Sequence, residues 1–212
     1  MLGGELWARF RAFIFNIIWP PHCLLCGRSS SWCCSNCQIT LLKNWYWRQL
    51  AEQTFFCTNY RDYPLEQLIR QAKYGKIKIT IELLANYFAL FAAPNLQKLN
   101  LKLNAVTSIP LSRSRLNWRG FNQSTILAQK LAKQLELPFI DHWQRQPAPN
   151  QSGLSRQARL KNLTTVFTWQ HPLSGNILLI DDIITTGQTL EQASHCLKQA
   201  GAQKVIKLAL AH

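Results

Sequence analysis

Charged side chains are scarce in this 212-residue chain, at 16%, and acidic ones scarcer still: 10 Asp and Glu stand against 24 Lys and Arg. With 47% hydrophobic residues, the composition excludes a disordered polyelectrolyte, which is poor in apolar residues and rich in charge. Long apolar runs are also missing. The first, Phe10 to Trp19, is broken by Arg11 and Asn16 and stopped by Pro20-Pro21. No later stretch reaches the roughly 18 uncharged apolar residues of a spanning helix. A secretory signal would show a clean apolar stretch followed by small residues, and Pro20-Pro21-His22-Cys23 is not that. The chain is therefore expected to be soluble and cytoplasmic, meeting a membrane only through partners. There is no G-x-x-x-x-G-K-[ST] loop, no internal repeat and no low-complexity segment. The length suits one ordinary domain with a small appendage.

The positive charge has a distribution. The net charge is +14, of which residues 102–161 contribute +8 and residues 1–100 contribute +6, while residues 162–212 balance. Such a chain expects an anionic partner: nucleic acid, a phosphorylated small molecule or an anionic lipid surface. Residues 5–19 read as an amphipathic helix packed on the protein. The alternative is a membrane-surface helix anchored by Trp7 and Trp19.

Four of the seven cysteines form Cys23-Leu-Leu-Cys26-Gly27 and Cys34-Ser-Asn-Cys37, two C-x2-C pairs. Two residues between thiolates let one tight turn aim both sulfurs at one ion, and two such turns close a tetrahedral site. Cys33 adjoins Cys34, but only Cys34 has the two-residue spacing to Cys37. Cys23, Cys26, Cys34 and Cys37 are thus expected to hold a structural Zn2+, since a reducing cytosol disfavours permanent disulfides. The alternative is four unrelated buried thiols. Cys57 and Cys196 read as core thiols.

Beyond the cysteines the pattern alternates. Residues 36–50 read as a helix, residues 55–60 as a short strand, and Pro64 opens a helix with Leu65, Leu68, Ile69 and Ala72 on one face, ended by Gly75. A further helix is expected over 77–92 and a strand over 104–109. Ser112 to Gly120 has three arginines and no apolar period, so it reads as a basic loop. A helix marked by Ala128, Leu131, Ala132 and Leu135, a strand over 138–143 and a polar loop over 144–153 follow. Residues 176–180 read as a buried strand; Leu190, Ala193, Leu197 and Ala200 mark a helix, and residues 204–210 a last strand. Alternating strands and helices imply a parallel α/β sheet.

The most informative run is Ile177 to Thr189. Four apolar residues make a buried strand, with Asp181 and Asp182 expected just past its carboxyl end, where open α/β sheets place ligands. Thr185-Thr186-Gly187-Gln188-Thr189 then turns into a helix, offering amides, hydroxyls and a helix N-terminus to a phosphate. Adjacent carboxylates suit the vicinal hydroxyls of a ribose or a magnesium shell around them. The plainer alternative is a surface turn with incidental acids, but carboxylates on a buried strand need partners.

This run resembles the phosphoribosyl pyrophosphate (PRPP) motif of type I phosphoribosyltransferases. With Ile109-Pro110-Leu111-Ser112, Arg119-Gly120-Phe121-Asn122-Gln123, Gln151-Ser-Gly-Leu154, Arg156, Arg159, Asn162 and the four-cysteine knuckle, the chain is identified as a member of the ComF family, of the kind tied to DNA uptake in natural competence. The resemblance implies an α/β fold: a type I phosphoribosyltransferase-like parallel sheet flanked by helices, with a small N-terminal four-cysteine zinc module. The expected divisions are an N-terminal helix over 1–20, a zinc module and following helix over 21–50, and the transferase-like domain over 51–212. It also implies that Asp181 and Asp182 hold the ribose hydroxyls and that Thr185, Thr186, Gly187, Gln188 and Thr189 cradle the 5′-phosphate. Pro110, Leu111, Ser112 and Arg113 would form the pyrophosphate-side loop. Arg119 and its neighbours would sit in a flexible hood; Arg156 and Arg159 would be further cations for the site, with an exposed helix face as their alternative. Mg2+ would accompany PRPP. Purine-salvage relatives carry an acid where this chain has Thr185, and threonine cannot act as that base at neutral pH, so the resemblance does not carry purine salvage. Two functions are expected to compete. One is Mg-dependent phosphoribosyl transfer to an unnamed acceptor. The other is a non-catalytic accessory role, binding single-stranded DNA or a nucleotide and bridging competence partners such as a helicase. Trp118 among Arg113, Arg115 and Arg119 combines a stacking face with cations, as single-strand binders do; the alternative is a loop Trp packed on the domain.

Overall fold

The structure, a computed structural model, describes residues 22–29, 31–145 and 167–212. The N-terminal helix expected over 5–19, the segment Gln151–Leu154 and residues Arg156, Arg159 and Asn162 lie outside the described residues.

Five strands form the main sheet in the order β1-β2-β7-β6-β3: β1 is Arg48–Ala51, β2 Thr54–Thr58, β3 Leu103–Ser108, β6 Asn176–Ile183 and β7 Lys204–Ala211. β2, β7, β6 and β3 run parallel, and β1 returns antiparallel along β2. The middle of each central strand, Ile177–Ile180 of β6 and Leu208–Ala211 of β7, is apolar because both faces are covered. Leu178 and Ile180 of β6 face a core shared with Ile206, Leu208 and Leu210 of β7. Ile177 and Leu179 face a second core with Val205 and Ala209. The first core is closed by α2 (Tyr63–Lys73), α3 (Lys78–Gln97) and α5 (Gln123–Gln134), the second by α6 (Gln188–Gln199). Leu65, Leu68, Ile69 and Ala72 of α2 are all essentially inaccessible, as their helical spacing requires. α3 is long and apolar enough to cross a membrane, but half of that window is buried within the protein, Phe88 at its centre.

The knuckle docks on α2. The side-chain amides of Gln67 and Gln71, one turn apart, both donate to the Leu24 carbonyl, at 3.2 and 3.3 Å.

Several expectations are corrected. The helix expected over 36–50 is α1, Ser35–Lys43, which ends before the antiparallel β1; the sheet is therefore mixed. The expected basic loop over 112–120 contains α4, Arg113–Arg119. Ser112 caps it by accepting the Arg115 amide, and Gly120, at φ +80°, closes it. None of its residues is buried, which is why no apolar period announces it. The strand expected over 138–143 is a single bridge from Phe139 to Val106. The ribbon beyond it pairs β4 (Trp143–Arg145) antiparallel with β5 (Phe167–Trp169). Finally, β6 continues to Ile183, so Asp181 and Asp182 lie inside the strand and not past its end. β7 prolongs the pairing, Asp181 opposite Ala209 and Ile183 opposite Ala211, which gives the backbone of the acids its partners.

Candidate functional site

The four cysteines chosen by spacing converge. The Sγ atoms of Cys23, Cys26, Cys34 and Cys37 all lie within 4.8 Å of one another, and those of Cys26 and Cys34 are 3.6 Å apart. The turn Cys23–Arg28 is closed by the Cys23 amide on Arg28 and the Gly27 amide on Cys23. The Cys34 amide donates to Cys23 Sγ at 3.4 Å. Burial works against the Cys23 thiolate, but amides of Cys34, Cys26 and Leu25 outweigh it and bring its pKa to about 6. Cys34 is also lowered, first by the Cys37 amide, whereas burial raises Cys37. Cys33 is outside the cluster, pushed up to about 11 by burial and the neighbouring thiolates. Four convergent sulfurs with amide donors fit a closed tetrahedral zinc module. Of the two other cysteines, Cys57 is fully buried and Cys196 half-buried.

The second site lies at the carboxyl ends of the parallel strands. The Ile109 amide donates to the Ile180 carbonyl, which sets Pro110, just past the end of β3, beside Asp181 of β6. Asp181 accepts the Ser124 hydroxyl at 2.9 Å and the Asp182 amide at 2.8 Å. Desolvation first, then the charge of Asp182, pushes the Asp181 carboxyl up to about 7 despite these donors. Asp182 accepts the Ile183 amide and pairs with Lys73 at 2.5 Å. Past the buried Ile184, Thr185 and Thr186 are exposed, and Gly187 turns the chain at φ +75° into α6. No side chain caps that helix, which starts directly after Thr185, Thr186 and Gly187. Gln188 and Thr189 begin the helix, both exposed. Beside the turn lies a cleft of about 410 Å³ bounded by Asn59, Tyr60, Arg61, Ile183, Ile184, Thr185 and His212.

Pro110, Leu111 and Ser112 follow β3, and Arg113 is the first residue of α4. Asn122 braces this loop by donating to the Ile109 carbonyl at 2.9 Å. Arg119 ends α4, its Nη1 donating to Gln123 at 3.1 Å. It belongs to a capped helix where a loop was expected. Two partners of the acidic pair escape sequence reading, Lys73 and Ser124. Lys73 carried a signal: it stands four residues after Ile69, where the buried stripe of α2 reaches its end. Ser124 carried none.

A mostly parallel sheet carrying paired acids on β6, with a glycine turn after it, is a type I phosphoribosyltransferase fold, and residues 119–212 match the phosphoribosyl transferase domain family. The chain belongs to the ComF family. It is 31% identical over 190 residues to "Competence protein ComFC" of Bacillus subtilis (strain 168), covering 84% of this chain and 72% of that protein. It is also 29% identical over 196 residues to "Competence protein F" of Haemophilus influenzae, covering 87% and 82%. Among solved structures, glutamine PRPP amidotransferase from B. subtilis, complexed with ADP and GMP, aligns with a TM-score of 0.41 and 16% identity, covering 61% of this chain and 25% of that one.

Proposed function

We propose that the site binds PRPP or a related ribose phosphate, and that this binding serves DNA uptake during natural transformation. One observation carries the first part: paired carboxylates on β6 run into a glycine turn and an uncapped helix N-terminus within a few residues. Asp181 and Asp182 accept the ribose hydroxyls. Thr185, Thr186 and the amides of Gly187, Gln188 and Thr189 receive the 5′-phosphate, where helix amides and dipole favour an anion. Pro110 to Arg113 and Arg119 flank the diphosphate side, where guanidinium and hydroxyl donors offset its charge. The two acids and an anionic ligand fit Mg2+, which would neutralise diphosphate charge when bound. The cleft beside Thr185 is the place for an acceptor, which would meet the anomeric carbon on the face opposite the diphosphate, with inversion. The knuckle holds one structural Zn2+. The DNA-uptake role is supported by membership of a family whose relatives carry competence names.

The test is calorimetric titration of PRPP with Mg2+ against the wild-type protein and Asp181→Ala/Asp182→Ala. Binding that the double substitution abolishes, with the thermal transition retained, is expected. Unchanged affinity rejects the site.

A second reading, single-stranded DNA binding without transfer, is favoured by one feature. Trp118 is 48% exposed, Lys76 sits 4.9 Å over its ring and Tyr74 meets it edge-on. Trp118→Ala should weaken oligonucleotide binding by about 1–3 kcal/mol per stacked base, with wild-type affinity falling steeply with salt. Salt-insensitive or absent binding leaves these cations to phosphate chemistry.

A further inference from the structure

The pair Lys73–Asp182 differs from the other ion pairs that α2 and α3 make. Arg70–Glu66 and Lys78–Glu82 are i,i+4 pairs with side chains 65%/35% and 59%/43% exposed, of the kind that contributes little. Lys73 and Asp182 are 17% and 13% exposed and join two elements distant in sequence. Withdrawing two charges this far from water costs free energy that the mutual attraction does not reliably recover. The pair is therefore weakly explained as a stabilising contact. Its acid is also one of the two that the ribose needs.

We propose that Lys73 is a diphosphate-binding residue, held on Asp182 until PRPP arrives and then shared with the diphosphate as the ribose diol takes the carboxylate. This rests on the PRPP reading of the site. In PRPP the diphosphate is carried on C1, next to the C2 hydroxyl of the diol. A cation resting on the diol-binding carboxylate is thus one substituent away from the anion. Lysine suits the exchange. Its ammonium is a compact charge on a flexible four-carbon stem with three donors, so one N–H can stay on Asp182 while others turn to phosphate oxygens. Lys73 is also the last residue of α2, after which the chain passes through Gly75 and a positive-φ Lys76. Its stem leaves from the end of the rigid apolar stripe Leu65, Leu68, Ile69 and Ala72.

The experiment compares two ligands that differ only in the diphosphate. PRPP and ribose 5-phosphate are titrated with excess Mg2+ into the wild-type protein, Lys73→Met and Lys73→Gln. The wild type should prefer PRPP. Both variants should lose about tenfold or more of PRPP affinity, the scale of a charged hydrogen bond, while ribose 5-phosphate binds as well or more tightly because Asp182 is freed. Equal weakening of both ligands would make Lys73 a mere support for Asp182 and overturn the proposal, as would no change in either. A wild-type protein that binds neither ligand overturns the pocket reading itself. Lys73→Arg, which keeps the charge, should recover part of the preference.

Discussion

The thiolate cluster and the acidic pair both crowd ionisable groups together, the first through turns and the second within a strand, and they hold their charges in opposite ways. The cysteines come from a 15-residue stretch, Cys23 to Cys37, whose own amides stabilise the sulfurs. The carboxylates depend on distant side chains: Ser124 lies 57 positions before Asp181, and Lys73 arrives from another helix. A local cluster survives if its segment folds and its ion binds. A site at the carboxyl ends of the strands exists only when strands, helices and loop are all in place. The first is thus suited to scaffolding, and the second to a ligand that repays assembly.

The contrast can be broken most forcefully at the cysteines. Cys26→Ser with Cys37→Ser should remove about one zinc per chain and unfold the knuckle, since structural zinc contributes on the order of 10 kcal/mol. Elemental analysis and thermal melting read both effects, with Cys33→Ala as the control that keeps its metal. A metal-free protein with an unchanged melt would remove the scaffold from the comparison. A smaller effect is expected at Asp181. Its folded pKa, about 7, exceeds the unfolded value near about 4, so the folded chain keeps a proton that the unfolded chain releases. Stability from this group is complete below about pH 4, declines as pH rises, and stays low above 7. Asp181→Asn, which still accepts from Ser124, should therefore raise the melting temperature by a few degrees at pH 8 and leave it unchanged at pH 4. A pH-independent gain would show that the carboxyl is not desolvated as described. The smallest effect belongs to Gly187. Nothing lies within 4 Å of an added Cβ there, but φ is +75°, so Gly187→Ala should cost about 1 kcal/mol through backbone strain alone. The loss should appear in denaturant titration, and weaker PRPP binding should accompany it if the turn cradles the phosphate.

What the sequence revealed follows the same division. Spacing alone located the knuckle, because ligand geometry there is local. The buried strand and the run through Asp181, Asp182 and Gly187 were equally plain, since β6 is apolar on both faces and its turn chemistry is contiguous. Helix α4 reads as loop because its Leu116 and Trp118 stay exposed, so that only the caps Ser112 and Gly120 announce it. The end of β6 is hidden because polar residues normally mark a strand's limit, and only pairing with β7 through Ala211 carries it on. Ser124 lay beyond sequence reading altogether, as nothing local distinguishes a helix-start serine that meets a carboxylate from one that meets water.

One helix touches both regions. Gln67 and Gln71 grip the knuckle through Leu24, and two residues further Lys73 grips Asp182. Its buried stripe, Leu65, Leu68, Ile69 and Ala72, fixes both grips to one well-anchored helix. A change in the knuckle that shifts Leu24, whether loss of the ion or a partner pressing on the turn, would be delivered to the ammonium on Asp182 with no second moving part. The cysteine turn and the acidic pair thus hang on one helix, and a substitution in α2 reaches both.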